Sequence, residues 1–437
     1  MLNTPTFFEA FIYWLKLGFI SFGGPAGQIA IMHKDLVEEK KWIDEDHFLQ
    51  ALNYCMLLPG PEAQQLTVYI GWLLHGHLGG IIAGVFFVLP AVLILLVLSY
   101  IYAAFGNIPA VDALFYGLKP AVAAIVAEAV IRMGKKSLKS DVLVLIAILS
   151  FIGIYFAGLP FPLIILIAGL LGLVGARLLP SKFIVNSKNG AAKSQDHMED
   201  GQAKPRKNQA TWQHTLKVIA VCVPLLFLPM ILLGLFRGWN DIFMDIGILF
   251  SKAAMVTFGG AYAVLAYISQ QAVSHYGWML PEQMMDGLGL AETTPGPLIM
   301  VTQFVGFFAA YTHAKGMSPL LAGLTGGLLT TWVTFVPCFM WVLVGAPYIE
   351  KLRNNKTIGV ALSGITAAVV GVVMNLCVIF TYHVVMPNTG GIDIYAICAA
   401  LIFFVGLIRF KWGMIPVVFG SAFAGYIWKM VLSHGLI

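Results

Sequence analysis

The sequence predicts an all-α polytopic membrane protein built from two related halves of opposite orientation. Three observations support this fold class. Of the 437 residues, 59% are hydrophobic and only 11% are charged, whereas a soluble domain carries roughly a quarter charged residues. Long apolar segments alternate with short charged loops, and motifs of the first half return in the second half. A water-soluble fold is therefore excluded.

Thirteen apolar segments approach the about 20 residues that a helix needs to cross a bilayer. The first six lie at residues 7–31, 47–75, 78–104, 111–133, 140–157 and 160–178. A seventh follows a polar stretch, and the last six lie at 241–268, 284–313, 317–345, 359–384, 391–409 and 412–433. We expect an N-terminal repeat at 1–180, a disordered cytoplasmic linker at 181–214, an extra transmembrane helix at 215–236 and a C-terminal inverted repeat at 237–437.

An internal repeat appears when the chain is compared with itself at an offset of 236 residues. Lys16 then falls on Lys252, Trp42 falls on Trp278, and the motifs FGG and PGP each fall on a second copy of themselves. Further along, the offset grows to 247, which aligns Pro90 with Pro337 and Gly117 with Gly364. Apolar composition alone does not produce such matches in one register, so the sequence predicts a true repeat.

The two halves are expected to be inverted, because the extra helix adds one crossing between them. Loop charges agree with inversion. The basic loop after residue 132 corresponds to an uncharged loop near 385–392 in the second half. The uncharged loop at 105–110 corresponds to a basic loop at 351–356. One loop disagrees, since thirteen full crossings would place Lys34, Lys40 and Lys41 outside. Re-entrant hairpins in the first two segments of each half would remove this conflict, so nine and thirteen crossings both stay open.

Proline and glycine interrupt the apolar segments at four places. Two are the PGP motifs, Pro59–Gly60–Pro61 and Pro295–Gly296–Pro297, and two are the FGG motifs with Gly23–Gly24 and Gly259–Gly260. Broken helices are tolerated at membrane depth only where protein or a water-filled cavity satisfies the backbone. The second proline of each PGP motif suits the first turn of a new helix, whose free amides attract anions. Four such ends near the midplane predict a site for a small anion.

Polar side chains beside these breaks can form hydrogen bonds without a permanent charge: Ser21, Gln28, Gln64, Gln65, Thr257, Thr293 and Thr294. Lys16, Lys119 and Lys252 lie within apolar segments, where a lysine costs about 3 kcal/mol and normally has a partner or a cavity. Glu62 and Glu292 are expected to pair with these lysines or to carry a coupling proton. Less specific alternatives stay open: a structural kink at PGP, helix capping by Glu62, and snorkelling of Lys16 to the interface.

These motifs resemble the chromate ion transporter family. The resemblance rests on FGGPAGQIA, LLPGPEAQQLTVYIGWLLHG, VTFGGAYAVL and LAETTPGPLIMVTQFVGF, and it covers roughly residues 7–180 and 240–435. It implies a multi-pass protein of the cytoplasmic membrane with two oppositely oriented domains. It also implies proton-motive-force-driven export of chromate, with chromate resistance as the result. One asymmetry stands out, since Pro25 is replaced by Ala261 in the second half.

Other functions are less well supported. The sequence lacks a flavin or nucleotide fingerprint, a catalytic triad pattern and a metal cluster, so we expect neither an enzyme nor a cofactor or metal. The net charge of +5 comes from short loops, and nucleic acid is not expected. A carrier of sulfate or another oxyanion and an anion channel stay open as alternatives. The expected partners are chromate, with sulfate as the alternative, protons and the lipid bilayer, and a homodimer is allowed.

Overall fold

A computed structural model describes residues 3–178, 211–256, 258, 260–348, 356–387 and 390–433. The predicted linker at 181–214 lies almost wholly outside these residues. The described chain is helical and contains no strand, as the fold class predicted.

The helices of the first half are α1 (Phe7–Ile20), α2 (Gly24–His33), α3 (Glu45–Cys55), α4 (Glu62–Phe105), α5 (Pro109–Ser137), α6 (Asp141–Tyr155) and α7 (Phe161–Leu178). The extra helix is α8 (Trp212–Arg237). The second half contains α9 (Ile242–Val256), α10 (Ala261–Ser269), α11 (Pro281–Thr293), α12 (Val301–His313), α13 (Pro319–Gly345), α14 (Lys356–Val385), α15 (Ile394–Arg409) and α16 (Met414–Ser433).

Local signals explain several of these boundaries. Thr6 and Glu9 form a capping box at the start of α1, and Asp44, Ser140 and Asp393 cap α3, α6 and α15 through side-chain oxygens. Among the residues that the structure describes, six helices are long and apolar enough to span a bilayer: α4, α5, α8, α13, α14 and α16. The helices α6, α7 and α15 are equally apolar but shorter.

The first half begins with two hairpins that enter and leave at one end of the molecule. The backbone N–H of Asn3 donates to the carbonyl of Lys41 over 2.9 Å, so α1 and α2 start and finish side by side. α4 breaks at His75 and Gly76, whose backbone angles are not helical. His75 Nε2 lies 3.1 Å from the carbonyl of Pro5, so α3 and the first part of α4 return to the same end. FGG and PGP occupy the hairpin tips.

The second half repeats this order of elements. Arg237, at the end of α8, donates to the carbonyl of Lys315, just beyond α12. Hydrogen bonds recur at the same offset of 236 residues. Phe22 N–H donates to Ile20 over 2.9 Å and Phe258 N–H to Val256 over 3.0 Å. A similar pair, each of 2.8 Å, holds the loops at Trp42 and Trp278.

These contacts favour nine crossings over thirteen. If the four hairpins return to the end from which they start, nine helical segments in the described part of the chain run from one end to the other. They are the second part of α4, then α5, α6, α7, α8, α13, α14, α15 and α16. Lys40 and Lys41 then lie at the same end as the basic loop after α5. The disagreement in the loop charges is thereby removed.

The two halves exchange their last two helices. The helices α6 and α7 pack against α14, whereas α15 and α16 pack against α5. Gly117 of α5 touches Gly425 of α16, and Gly364 of α14 touches Gly172 of α7 in the same manner. Small residues at these crossings let the helix backbones approach closely.

The extra helix α8 packs on the outside of α13 and α9. Pro229 has no N–H to donate to the carbonyl of Leu225, four residues earlier. The indole Nε1–H of Trp332 donates to that carbonyl over 2.7 Å instead. The interruption in α8 is therefore also its attachment point to α13.

Candidate functional site

The tip of the first PGP motif is closed by a helix of the second half. Gly60 has φ +127°, a backbone conformation that other residues rarely adopt. A Cβ at this position would lie 2.9 Å from Cys338 Sγ of α13 and 2.7 Å from Gln65 Nε2. That Nε2 donates to the carbonyl of Pro59 over 2.7 Å, which fixes the turn. The break is buried and does not face lipid.

The tip of the second PGP motif meets the first half in the corresponding way. Gly296 has φ +102°, and a Cβ there would lie 2.8 Å from the Cβ of Ala91 in α4. Ala91 follows Pro90, just as Cys338 follows Pro337. Each PGP tip thus packs against the residue after the internal proline of the other half. The two breaks therefore lie between the halves.

One FGG motif joins this centre directly. Gly296 N–H donates to the carbonyl of Ser21 over 2.7 Å. The Gln28 Nε2 group donates to the same carbonyl over 3.2 Å and to the carbonyl of Gly296 over 2.6 Å. The turn that contains Gly23 and Gly24 is thereby tied to the PGP motif of the opposite half. Two predicted residues of the other FGG motif, Thr257 and Gly259, lie outside the described residues, whereas Gly260 directly precedes α10.

Helices begin immediately after both PGP motifs. α4 begins at Glu62, and a short 3₁₀ turn, Leu298–Met300, leads into α12. Pro61 and Pro297 stand just before the first helical residue, one position earlier than the sequence suggested. Neither start has a side-chain cap, so the first backbone amides are free to bind a ligand or water.

Buried polar atoms without a partner gather in the segments around the tips. Gln64 is completely buried, and neither Nε2 nor Oε1 has a partner among the described residues. The same holds for the Oε1 atoms of Gln28 and Gln65. Buried polar groups are normally paired, and an unpaired group costs about 1–3 kcal/mol. These carboxamides therefore indicate that water or a polar ligand occupies the centre between the halves.

Three further polar residues of this kind were not predicted from the sequence. Thr302, Gln303 and Thr334 are buried, and each has a side-chain oxygen without a partner among the described residues. Gln303 Nε2 donates to the carbonyl of Val92 over 2.9 Å, so it links α12 to α4. Thr302 and Gln303 carried a signal in the sequence, as polar residues in the apolar segment directly after the second PGP motif, whereas Thr334 lies in α13.

The predicted hydroxyl groups differ from the carboxamides. Ser21 Oγ donates to Leu17, Thr293 Oγ1 to Leu290 and Thr294 Oγ1 to Ala291, over 2.6, 2.7 and 2.9 Å. A hydroxyl has one proton to donate. In this conformation these three groups can accept a hydrogen bond but cannot donate one to an anion.

The two predicted carboxyl groups have surroundings of their own. Glu292 is buried and accepts a hydrogen bond of 2.9 Å from the hydroxyl of Tyr262 in α10. Arg132 of α5 interacts with Glu292 electrostatically, and Lys136 of α5 interacts with Glu62. The expected pairing of Glu292 with Lys16, Lys119 or Lys252 is not what the structure shows, because a tyrosine hydroxyl occupies the contact.

The three predicted lysines are not brought together. Lys16 and Lys252 are exposed, each on a stripe of its helix that also exposes apolar side chains such as Ile12 and Ile248. Lys16 lines a surface cleft of about 510 Å³, whose other residues come from the N-terminal segment, α1 and the turn after α2. Lys119 instead points to Asp286 of α11, with 3.9 Å between Nζ and Oδ2.

No group of three or more His, Cys, Asp or Glu residues that could hold a metal ion occurs within the described ranges. The centre is built from backbone amides, glutamine carboxamides and hydroxyl oxygens, which suits an anion that is bound by hydrogen bonds.

Comparisons with known proteins agree with the motifs. A family model described as "Chromate transporter" matches residues 8–173 and 244–426. A "Chromate transport protein" of Cupriavidus metallidurans is 29% identical over 433 residues, which cover 99% of this chain and 95% of the relative. Another of that name from Pseudomonas aeruginosa is 29% identical over 437 residues, with 96% and 92% covered. A "Probable chromate transport protein" of Synechococcus elongatus is 28% identical over 374 residues, with 84% and 82% covered. No solved structure matches.

Proposed function

The chain belongs to the chromate transporter family, and from that membership we propose that it exports chromate across the cytoplasmic membrane as a secondary transporter. The proton-motive force drives this export, and the cell gains chromate resistance. Basic loops mark the cytoplasmic end of the molecule, where Lys40, Lys41 and the loop after α5 lie.

The observation that carries the proposal is the meeting of the two PGP tips with the opposite halves. Gly60 packs against Cys338 and Gly296 against Ala91, so the breaks lie at the boundary between the halves. The fully buried carboxamide of Gln64 has no partner in the described chain. A tetrahedral dianion could accept hydrogen bonds from this carboxamide and from the free amides of the helix starts after Pro61 and Pro297.

We infer that transport occurs when one half rocks against the other. The contacts between Ser21, Gln28 and Gly296 close this boundary in the present conformation. Opening it would free the N–H of Gln28 that donates to the carbonyl of Gly296, and this N–H could then donate to the anion. The other predicted site residues that line the breaks, Gln65, Thr293 and Thr294, hold the turns in shape by donating hydrogen bonds to backbone carbonyls.

Uptake of labelled chromate into inside-out vesicles tests this proposal. We expect saturable uptake that depends on the protein and that falls when the proton-motive force as a whole is collapsed. The potential and the pH gradient are collapsed separately, with vesicles that lack the protein as the control. Absence of protein-dependent chromate uptake would refute the proposal, and flux that does not saturate would identify an anion channel instead.

A further inference from the structure

A second buried polar cluster lies between α11, the helix that precedes the second PGP motif, and the helices α4 and α5 of the first half. We call Asp286, Tyr102 and Lys119 the Asp286 cluster. The hydroxyl of Tyr102 in α4 donates to Asp286 Oδ2 over 3.0 Å. Lys119 Nζ of α5 lies 3.9 Å from the same oxygen. The Asp286 side chain is 5% exposed, and its Oδ1 is buried without a partner among the described residues.

Other charged groups around Asp286 do not complete its coordination. Asp112 of α5 and Glu282 of α11 add negative charge, and Asp112 is itself paired with Lys429 of α16 over 2.7 Å. On the neighbouring helices α12 and α14 the described titratable side chains are Tyr311, His313, Cys377, Tyr382 and His383, and none of the five is a carboxylic acid or a lysine. Lys119 is thus the positive group in contact with Asp286. Its side chain is 24% exposed, so it has room to turn away.

Comparison of the two halves shows that Asp286 does not belong to the features that the repeat shares. The position that corresponds to Asp286 in the first half, 236 residues earlier, is Gln50. The PGP tips and their packing partners occur in both halves, whereas this carboxyl occurs in one. A buried acid that the helix breaks do not need for their shape is expected to have a chemical role.

The geometry favours a proton over a metal cation as the ligand of this acid. A sodium ion would require several oxygen ligands, but the cluster offers one carboxyl and one hydroxyl. The ammonium group of Lys119 already occupies the place of a cation. Burial of a carboxylate with an unpaired oxygen is costly, and binding a proton removes its charge.

We propose that Asp286 binds a proton whose uptake is coupled to anion binding, and that Lys119 turns towards the anion when the carboxyl is neutral. The inference rests on the proposed function and specifies its coupling. Protonation removes one negative charge from the neighbourhood of the anion and releases one positive charge. Proton and anion therefore bind with positive linkage, so each increases the affinity for the other.

Because the linkage is positive, a proton leaves the cell together with the anion, and this determines which part of the proton-motive force drives export. A proton that travels with a dianion reduces the charge carried in each cycle from two negative charges to one. A membrane potential that is negative inside still drives the complex outwards. An acidic exterior opposes this movement, so the electrical component supplies the driving force.

Calorimetry of chromate binding to the purified full-length protein tests the linkage. Titrations in two alkaline buffers of different ionisation enthalpy, in which chromate is the dianion, give the number of protons taken up. For the unchanged protein we expect on the order of one proton per chromate. Asp286→Asn should bind chromate with almost no proton uptake. Asp245→Asn, which alters an exposed acid of α9, should behave like the unchanged protein.

The outcomes separate this inference from the proposed function. Absence of chromate binding by the unchanged protein would refute the proposed function. Binding with undiminished proton uptake in Asp286→Asn would overturn the inference alone. If that variant does not fold, Tyr102→Phe decides, because it keeps the carboxyl and removes a hydrogen bond to its charged form. The pH midpoint of proton uptake should then rise, and an unchanged midpoint would overturn the inference.

Discussion

Replacing Gly60 by alanine should damage the centre between the halves more than the same change at an open turn. Gly60 has φ +127°, and an alanine in such a backbone conformation lowers the free energy of unfolding by about 1–2 kcal/mol or more. Its Cβ would also lie 2.9 Å from Cys338 Sγ and 2.7 Å from Gln65 Nε2. Overpacking of this kind costs about 1–3 kcal/mol. We therefore expect Gly60→Ala to lose about 2–5 kcal/mol of stability.

The control is Gly277→Ala, because Gly277 has φ +62° but no heavy atom within 4 Å of an added Cβ. This variant should lose only the backbone contribution of about 1–2 kcal/mol. Thermal unfolding in detergent measures both variants, and labelled chromate uptake into inside-out vesicles measures their activity. We expect Gly60→Ala to abolish uptake and Gly277→Ala to retain it.

A second substitution separates the two parts of the loss. Cys338→Ala removes the sulfur that meets the new Cβ, and alanine already occupies the corresponding position against Gly296, at Ala91. The double variant Gly60→Ala/Cys338→Ala should therefore recover part of the stability lost by Gly60→Ala. Equal stability and uptake of Gly60→Ala and Gly277→Ala would refute the argument that the PGP tip needs glycine for packing against the other half.

Three further predictions concern single side chains. Gln28→Leu leaves the buried carbonyl of Gly296 without its donor and should lower the free energy of unfolding by about 1–3 kcal/mol. Thermal unfolding should show a smaller loss for Gln303→Leu, because Gln303 contacts a carbonyl within a continuous helix. Equal losses for the two variants would contradict this prediction. Trp332→Phe removes the donor to a carbonyl that proline leaves free in α8, so limited proteolysis should cut the region around α8 faster, and an unchanged rate would count against this attachment. Lys119→Gln should reduce chromate uptake at least tenfold, whereas Lys16→Gln on the exposed stripe should keep uptake within about twofold of the unchanged protein. The reverse order would show that the exposed lysine contacts the anion.

The sequence predicted the features that depend on local chemistry. Proline and glycine side by side interrupt a helix, so the breaks at Gly60 and Gly296 could be located from the PGP motifs in the sequence. The same is true of the all-α membrane class, which follows from apolar length. The repeat offset of 236 also recurs in the hydrogen bonds of Phe22 and Phe258.

Features that depend on distant contacts could not be predicted. The contact between Gln28 and Gly296 joins residues that are 268 positions apart, and no local pattern specifies it. The preference for nine crossings depends on the contact between Asn3 and Lys41, since a hairpin and a full crossing share the same apolar composition. No sequence pattern distinguishes Asp286, since a single acid in a helix usually lies on a solvated face.

The exchange of helices between the halves has a consequence for biosynthesis. During translation α5 enters the bilayer long before α15 and α16, the helices that finally cover it, leave the ribosome. Lipid or an insertion chaperone must shield the small-residue surface around Gly117 during that interval. Neither half can reach its final packing first, so α15 and α16 complete the structure of the half that was synthesised before them.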